Sequence, residues 1–371
     1  MRVALLVHET FPERAKTAVG LLRYGDDEVV AVLDRTTAGE RVRDHVPDAP
    51  DAPIVASMAD VSEPVDALVV GVAPIGGDFD ETWRPDIRAA LERGCDVVAG
   101  LHSFLADDDE FARLASEHGC DIRDVRRPPD DLTVADGTAG DVDATVVLTV
   151  GTDCSSGKMT TSYELVRAAR ERGVDAAIVP TGQTAIMIEG WGIAVDRVVS
   201  DFAAGAVERM VEKRAADHDL LVVEGQGALA HPAYSGVTTS ILHGAAPDRL
   251  VCCHAAGREA VHGYEHVPIP PLEEYVALYE RVAAPVSPAE VVAGAVNTAA
   301  LGGRETGERA AGADGTVAEA DGTVAEADGT AAEATARAAV EEFGATIDAP
   351  ATDPVRFGVD PILDAVLEGH L

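Results

Sequence analysis

Residues 145–160 read Thr145-Val-Val-Leu-Thr-Val-Gly151-Thr152-Asp153-Cys154-Ser155-Ser156-Gly157-Lys158-Met159-Thr160, and their order decides the fold. The β-branched apolar run from Val146 to Val150 predicts a buried strand. A glycine-bounded loop follows, and the residues after it fall at helical spacing. In such a strand, loop and helix, glycines let the chain curl until successive N–H groups point inward. The helix adds its positive N-terminal end, and Lys158 adds a mobile ammonium. The expectation is a site for a di- or triphosphate built from Gly151, Thr152, Asp153, Cys154, Ser155, Ser156, Gly157, Lys158, Met159 and Thr160.

The spacing departs from the usual phosphate loop in two ways. Five residues separate the glycines instead of four, and Met159 stands where a magnesium-binding hydroxyl is expected. The longer loop resembles the GTD-x-x-x-GK loop of dethiobiotin synthetases and related P-loop amidoligases. Thr160 or Thr161 is then the hydroxyl left for a metal; otherwise the loop holds a pyrophosphate without magnesium.

The chain has 371 residues, which predicts two domains. Sixty-five acidic residues face twenty-nine basic ones, for a net charge of −36. A field of that sign repels nucleic acid and anionic membranes, so neither is expected as a partner. Only Lys16, Lys158 and Lys213 are lysines, and arginine supplies the remaining bases. That pattern reads as adaptation to a high-salt cytoplasm, where salt screens self-repulsion. One of three lysines falling in the phosphate loop argues for a functional role there. Five cysteines without a C-x-x-C pair argue against a disulfide framework or a structural zinc site. With no signal peptide and no membrane-length apolar run, a cytoplasmic protein is expected, as a homo-oligomer acting on a small molecule.

Before the loop, the runs at 2–8, 28–33, 67–71 and 96–100 read as strands alternating with helices at 15–24 and 85–93. Alternation of this kind predicts βαβ units and a parallel sheet, a Rossmann-like domain over residues 1–140. No G-x-G-x-x-G follows the first strand, so a dinucleotide cofactor is not supported. Gly76, Gly77, Trp83, Arg84 and His102 fall at strand ends, as site residues or as turn, packing and capping residues. Residues 127–143, rich in Pro, Asp and Gly, read as the linker.

Residues 141–371 predict a P-loop NTPase-like α/β domain. A strand at 176–180 ends in Thr181-Gly182-Gln183, a candidate substrate wall. Asp201 reads as a helix cap at a strand-to-helix junction, or as a holder of a substrate amine or metal-bound water. The strand 219–224 ends in Glu224, the acid that P-loop proteins place beside the phosphates, and it resembles the VEG-x-GG segment of dethiobiotin-synthetase-like enzymes. His231, Tyr234 and Ser235 share the next loop, and histidine suits proton transfer near neutrality. Cys252 and Cys253 read as core. Residues 313–333 are three tandem heptads, ADGTVAE, ADGTVAE and ADGTAAE. A glycine in each and one apolar position per heptad argue against a coiled coil and for an acidic surface insertion.

Seven segments together resemble one family: GVAPIGG with Trp83-Arg84, GLHSF, GTDCSSGKMTT, PTGQT, VDRVVSDFAAGAVE, VEGQGAL with HPAYSGVT, and LHGAAPD. It is the D-glutamate N-acetyltransferase family, long catalogued as a domain of unknown function. The resemblance covers the chain outside the heptads and implies a Rossmann-like domain followed by a P-loop domain. It implies acetyl-CoA as donor and the amine of a D-amino acid as acceptor. The phosphate loop can hold CoA, whose phosphates need the N–H cradle and Lys158 but no magnesium. Acyl transfer also needs a base and oxyanion donors. His231 or Glu224 is the expected base and Asp201 the group that orients the amine. The N–H groups of residues 225–227 or Ser235 are the expected donors. Arg84, Thr181, Gln183, Tyr234 and Ser235 are the expected substrate contacts. Two alternatives stay open: an ATP-dependent ligase or kinase in which Lys158 and Thr160 hold the γ-phosphate and Mg²⁺ while Asp153 and Glu224 complete the metal shell, and a nucleotide-binding protein without chemistry.

Overall fold

The computed structural model describes residues 1–72, 77–301 and 327–368. Its contacts divide the chain into two compact units, Met1–Asp136 with Val179–Met210, and Gly137–Ile178 with Val211–Leu371. Gly76 and the first two heptads, residues 313–326, fall outside the described residues.

The first unit carries six strands: β1 (Arg2–Leu6), β2 (Glu28–Leu33), β3 (Ile54–Val55), β4 (Ala67–Val70), β5 (Asp96–Ala99) and β6 (Ile122–Asp124). They lie in the order β3-β2-β1-β4-β5-β6, and every recorded pairing is parallel. This is the order of a doubly wound sheet. Helices cover parallel strands on both faces, which is why β1 and β4 read as unbroken apolar runs. The short edge strands β3 and β6 carry no comparable run and have no clear sequence signal. Asp34, just beyond β2, accepts hydrogen bonds from the Glu9 and Phe11 N–H groups and from the Thr36 N–H and hydroxyl. In dinucleotide-binding sheets an acid near this place takes a ribose hydroxyl; here it ties down the turn after β1. Trp83 packs in this unit's core, edge-on to Phe79.

The second unit carries β7 (Thr145–Gly151), β8 (Ala176–Val179), β9 (Leu220–Val223), β10 (Arg249–Ala255), β11 (Ala260–Val261), β12 (Tyr264–Pro268), β13 (Glu290–Asn297) and β14 (Ala351–Thr352). Its main sheet runs β14-β13-β10-β7-β9-β8, and β11 and β12 form a separate antiparallel hairpin. The phosphate-loop strand β7 is central, held by β10 on one side and β9 on the other. Beyond its carboxyl end the chain turns into the helix Lys158–Glu171. Cys252 and Cys253 are fully buried in β10, where burial pushes both thiols up, that of Cys253 to about 11.

Two expectations change. Asp201 follows no strand: a 3₁₀ turn, Val195–Arg197, precedes the helix Ser200–Ala215, and Asp201 stands exposed in that helix's first turn. The third heptad is not loop, because the helix Ala327–Ile347 begins within it. Alanine-rich sequence favours helix, and Glu333 pairs with Arg337 one turn on at 2.7 Å.

Candidate active site at the phosphate loop

The loop is shaped by left-handed backbone at Ser155 (φ 51°) and Gly157 (φ 104°). Alternation of this kind curls a chain into an anion-binding nest, and glycine takes the second position without strain. A Cβ on Gly151 would come within 2.6 Å of Ser156 Oγ and 2.9 Å of Lys158 Nζ, so the loop closes on its own first residue. Lys158 is buried and donates from Nζ to the Asp153 carbonyl at 2.7 Å. Met159 is buried, and the Thr161 hydroxyl accepts from Cys253 Sγ at 3.6 Å. Thr160 is half-buried.

Asp153 is fully buried and its carboxylate is already engaged. One oxygen accepts the Cys154 N–H at 2.7 Å; the other accepts Arg258 Nη1 at 3.0 Å and the His262 N–H at 2.8 Å. These two donors flank β11, so the hairpin is fastened to the loop at its acid. Thr152 Oγ1 lies 2.9 Å from Nδ1 of His254, whose ring stacks on Phe343. Burial, with Arg258 nearby, holds His254 down at about 4, so it is neutral at ordinary pH.

Because β9 lies beside β7, Glu224 emerges next to the loop, with its side chain buried. The next residue touches β7 itself: Gly225 N–H donates to Thr149 Oγ1 at 3.1 Å. His231 is buried between the rings of Tyr234, at 4.6 Å, and Tyr264, at 5.2 Å. Its Nδ1 accepts the Ala233 N–H at 3.1 Å, and burial lowers its pKa. Tyr234 is 40% exposed and Ser235 opens the helix Ser235–Ala245.

Two tyrosines that the sequence does not single out hold these pieces together. On the helix Leu272–Ala283, Tyr279 donates its hydroxyl to the Gly151 carbonyl at 2.7 Å and accepts the Leu229 N–H at 3.4 Å. Tyr275 accepts the Ala230 N–H at 2.9 Å. Four residues apart on an amphipathic helix, they read in sequence as ordinary core. Arg258 and His262 are likewise invisible beforehand, because their partner Asp153 is over a hundred residues away.

Asp153, Cys154 and His231 each offer a ligand atom within 4.8 Å of the others. The hydrogen bonds weigh against a metal there. A ligating histidine donates its second N–H to an acceptor, whereas Nδ1 of His231 itself accepts. For magnesium beside a phosphate the donor set is also poor, since Met159 has no hydroxyl and Asp153 and Thr161 are engaged. Thr160 and Glu224 are the remaining candidates.

Other expected contacts belong to the first unit. Thr181 is buried and its carbonyl accepts the Val195 N–H; Gln183 opens the helix Gln183–Glu189 and packs against Gly100. Arg84 pairs with Glu81, Asp108 and Glu110 at 2.7, 2.9 and 3.1 Å and lies over the Phe79 and Phe111 rings. Hydrogen bonds that it donates to Glu81 and then to Asp108 push its pKa up. A substrate carboxylate would gain from Arg84 only by displacing one of these acids. Separately, a surface cavity of ≈ 810 Å³ lined by Arg172, Pro350, Pro361 and Asp364 shares no residue with the phosphate loop. No helix among the described residues is long and apolar enough to cross a membrane.

Comparison with known proteins gives a consistent picture. Residues 35–128 match the Rossmann-like domain DUF1611_N, and residues 133–320 match the P-loop domain DUF1611_C, both described as domains of unknown function. A D-glutamate N-acetyltransferase of Pseudoalteromonas sp is 35% identical over 297 residues, 80% of each chain. Another, from Tritonibacter scottomollicae, is 34% identical over 305 residues, 81% of this chain and 80% of that one. The crystal structure of a DUF1611 family protein from Anabaena variabilis superposes with a TM-score of 0.86 at 39% identity, covering 99% of both chains. Two parallel-sheet α/β units, both domain matches and relatives aligned over four-fifths of their length lead to one assignment: the chain belongs to the DUF1611 family, that of these D-glutamate N-acetyltransferases.

Proposed function

We propose that this protein is an N-acetyltransferase that moves the acetyl group of acetyl-CoA to the amine of an amino acid, D-glutamate being the acceptor named for its relatives. The observation that carries the choice of donor is the loop's chemistry. It keeps the nest and Lys158, which any phosphate ester needs. It lacks the hydroxyl at residue 159, and its acid Asp153 is held by Arg258 and the His262 N–H. That combination suits the phosphates of CoA better than Mg-ATP.

In this reading residues 151–160 cradle CoA phosphate and Lys158 neutralises it. Glu224, buried at the end of β9, takes the proton that the acceptor ammonium must lose before its nitrogen can attack. The Gly225 N–H is spent on Thr149 and the Ser235 N–H on the His231 carbonyl, which leaves the Gln226 and Gly227 N–H groups as backbone donors to the oxyanion. Tyr234 and Ser235 border the same loop. Thr181, Gln183, Asp201 and Arg84 belong to the first unit and are assigned no role in this step. A homo-oligomer is the expected state, checked by light scattering in high salt.

The test is a thiol-release assay with acetyl-CoA and a panel containing both enantiomers of glutamate and aspartate. Release that depends on the amino acid, with N-acetyl product by mass spectrometry, supports the reading. Hydrolysis of Mg-ATP without acetyl transfer would overturn it in favour of a ligase.

A further inference from the structure

We propose that His231 serves the transfer as a neutral hydrogen-bond donor, its Nε2–H holding the thioester carbonyl oxygen as that atom becomes an oxyanion. The proposal rests on the acetyl-transfer reading above.

A neutral imidazole carries one proton, and the nitrogen that accepts a hydrogen bond is the one without it. The backbone N–H of Ala233 can only donate, and it donates to Nδ1 at 3.1 Å. The proton is therefore on Nε2. Ring rotation would put Cδ2 in the place of Nδ1 and lose this bond, but the residue is 2% exposed and its ring is wedged between Tyr234 and Tyr264. Among the described residues Nε2 has no hydrogen-bond partner. The ring sits at the head of the phosphate loop, one of its nitrogens within 4.8 Å of the Asp153 carboxylate and Cys154 Sγ. A donor to which no described group is hydrogen-bonded, set beside a nucleotide-type cradle, is available to a ligand atom.

The same hydrogen bond argues against two other roles. A general base at Nε2 needs a lone pair there, which would place the proton on Nδ1 against the Ala233 N–H. A metal on Nε2 meets the same conflict. Protonation of the whole ring would also break the Ala233 bond. Burial opposes it, as do Lys158 and His262, with Asp153 pulling the other way.

In the step itself the amine nitrogen, already deprotonated, attacks the acetyl carbonyl carbon. The C=O π pair moves onto oxygen, which accepts the Nε2–H bond. The pair returns as the C–S bond breaks, and CoA leaves as a thiolate that takes up the nitrogen's remaining surplus proton. Nothing is oxidised or reduced, and His231 gains and loses no proton.

His231→Gln keeps a side-chain N–H donor but cannot be a base, and His231→Ala removes both capacities. The prediction is that Ala lowers kcat by about 10²–10³-fold, the usual cost of one oxyanion donor, while Gln stays within about tenfold of wild type. KM for acetyl-CoA should move little in either. Gln as inactive as Ala, with both folded and both binding acetyl-CoA, would overturn the proposal, as would activity lost to a chelator and restored by zinc. A second readout needs no variant to be active. In ¹⁵N-histidine-labelled wild-type protein the His231 ring, assigned by its loss in His231→Gln, should show the Nε2–H tautomer at pH 7. A proton on Nδ1 would refute the donor role. Wild type without acetyl transfer would instead count against the function, leaving the tautomer result to stand or fall alone.

Discussion

Replacing Gly225 with alanine puts a methyl group where the structure has a strand. A Cβ built there lies 1.8 Å from the Thr149 carbonyl oxygen and 3.2 Å from Lys158 Cδ. Tolerable contact requires β7 and the residue after β9 to part by on the order of 1 Å, an overpacking that costs about 1–3 kcal/mol. β7 cannot retreat easily, because β10 pairs with it on the other side. Parting also breaks the 3.1 Å bond from the Gly225 N–H to Thr149 Oγ1. A buried donor left without a partner costs about 1–3 kcal/mol more. Together these come to about 2–6 kcal/mol, which for a unit of this size lowers Tm by roughly 5–20 °C. The assay is thermal unfolding in high salt, run alongside acetyl-CoA titration, and the variant should be destabilised and bind weakly. Unchanged Tm together with wild-type affinity would refute the idea that Gly225 couples the acid-bearing strand to the phosphate loop.

Two further outcomes follow from charge and burial. His254 is held near 4, below its ordinary 6.5, so between those values the unfolded chain takes up a proton that the folded one refuses. Its contribution is complete above about pH 6.5 and is lost as pH falls through that window, by about 3 kcal/mol in all. His254→Asn, which keeps an acceptor for Thr152, should lose less Tm than wild type between pH 7.5 and 4.5; equal losses would contradict this. Arg84→Met should destabilise the first unit by about 1–2 kcal/mol through lost pairing and stacking while leaving the acceptor KM within about twofold. A large rise in that KM at unchanged stability would restore Arg84 as a substrate contact.

Much of this architecture is legible in the sequence because parallel strands are buried on both faces and announce themselves as apolar runs. Val146–Val150 and Leu220–Val223 are examples, and the loop and acid that follow them fall at fixed offsets. The two-residue strands β3 and β14 are not legible, since two residues carry no periodicity. Nor is the helical third heptad, whose composition resembles its neighbours. The site's shape depends on partners distant in sequence. Asp153 looks like a metal ligand until Arg258 and His262 are seen on it. Arg84 looks available until its three acids are counted. His231 reads as a base until the Ala233 N–H is found on Nδ1. Residue type is local information, whereas protonation state and availability are set by neighbours that the fold supplies.

The central claim, that the phosphate loop holds acetyl-CoA for transfer to an amine, is tested most directly by calorimetric titration in high salt. Acetyl-CoA and Mg-ATP would be titrated separately into wild type and into Lys158→Ala. Acetyl-CoA should bind wild type saturably and Lys158→Ala about 10–100-fold more weakly, through the loss of the charged hydrogen-bonding group. Mg-ATP should show no comparable binding. Tight Mg-ATP binding with none for acetyl-CoA, or equal acetyl-CoA affinity in both proteins, would contradict it.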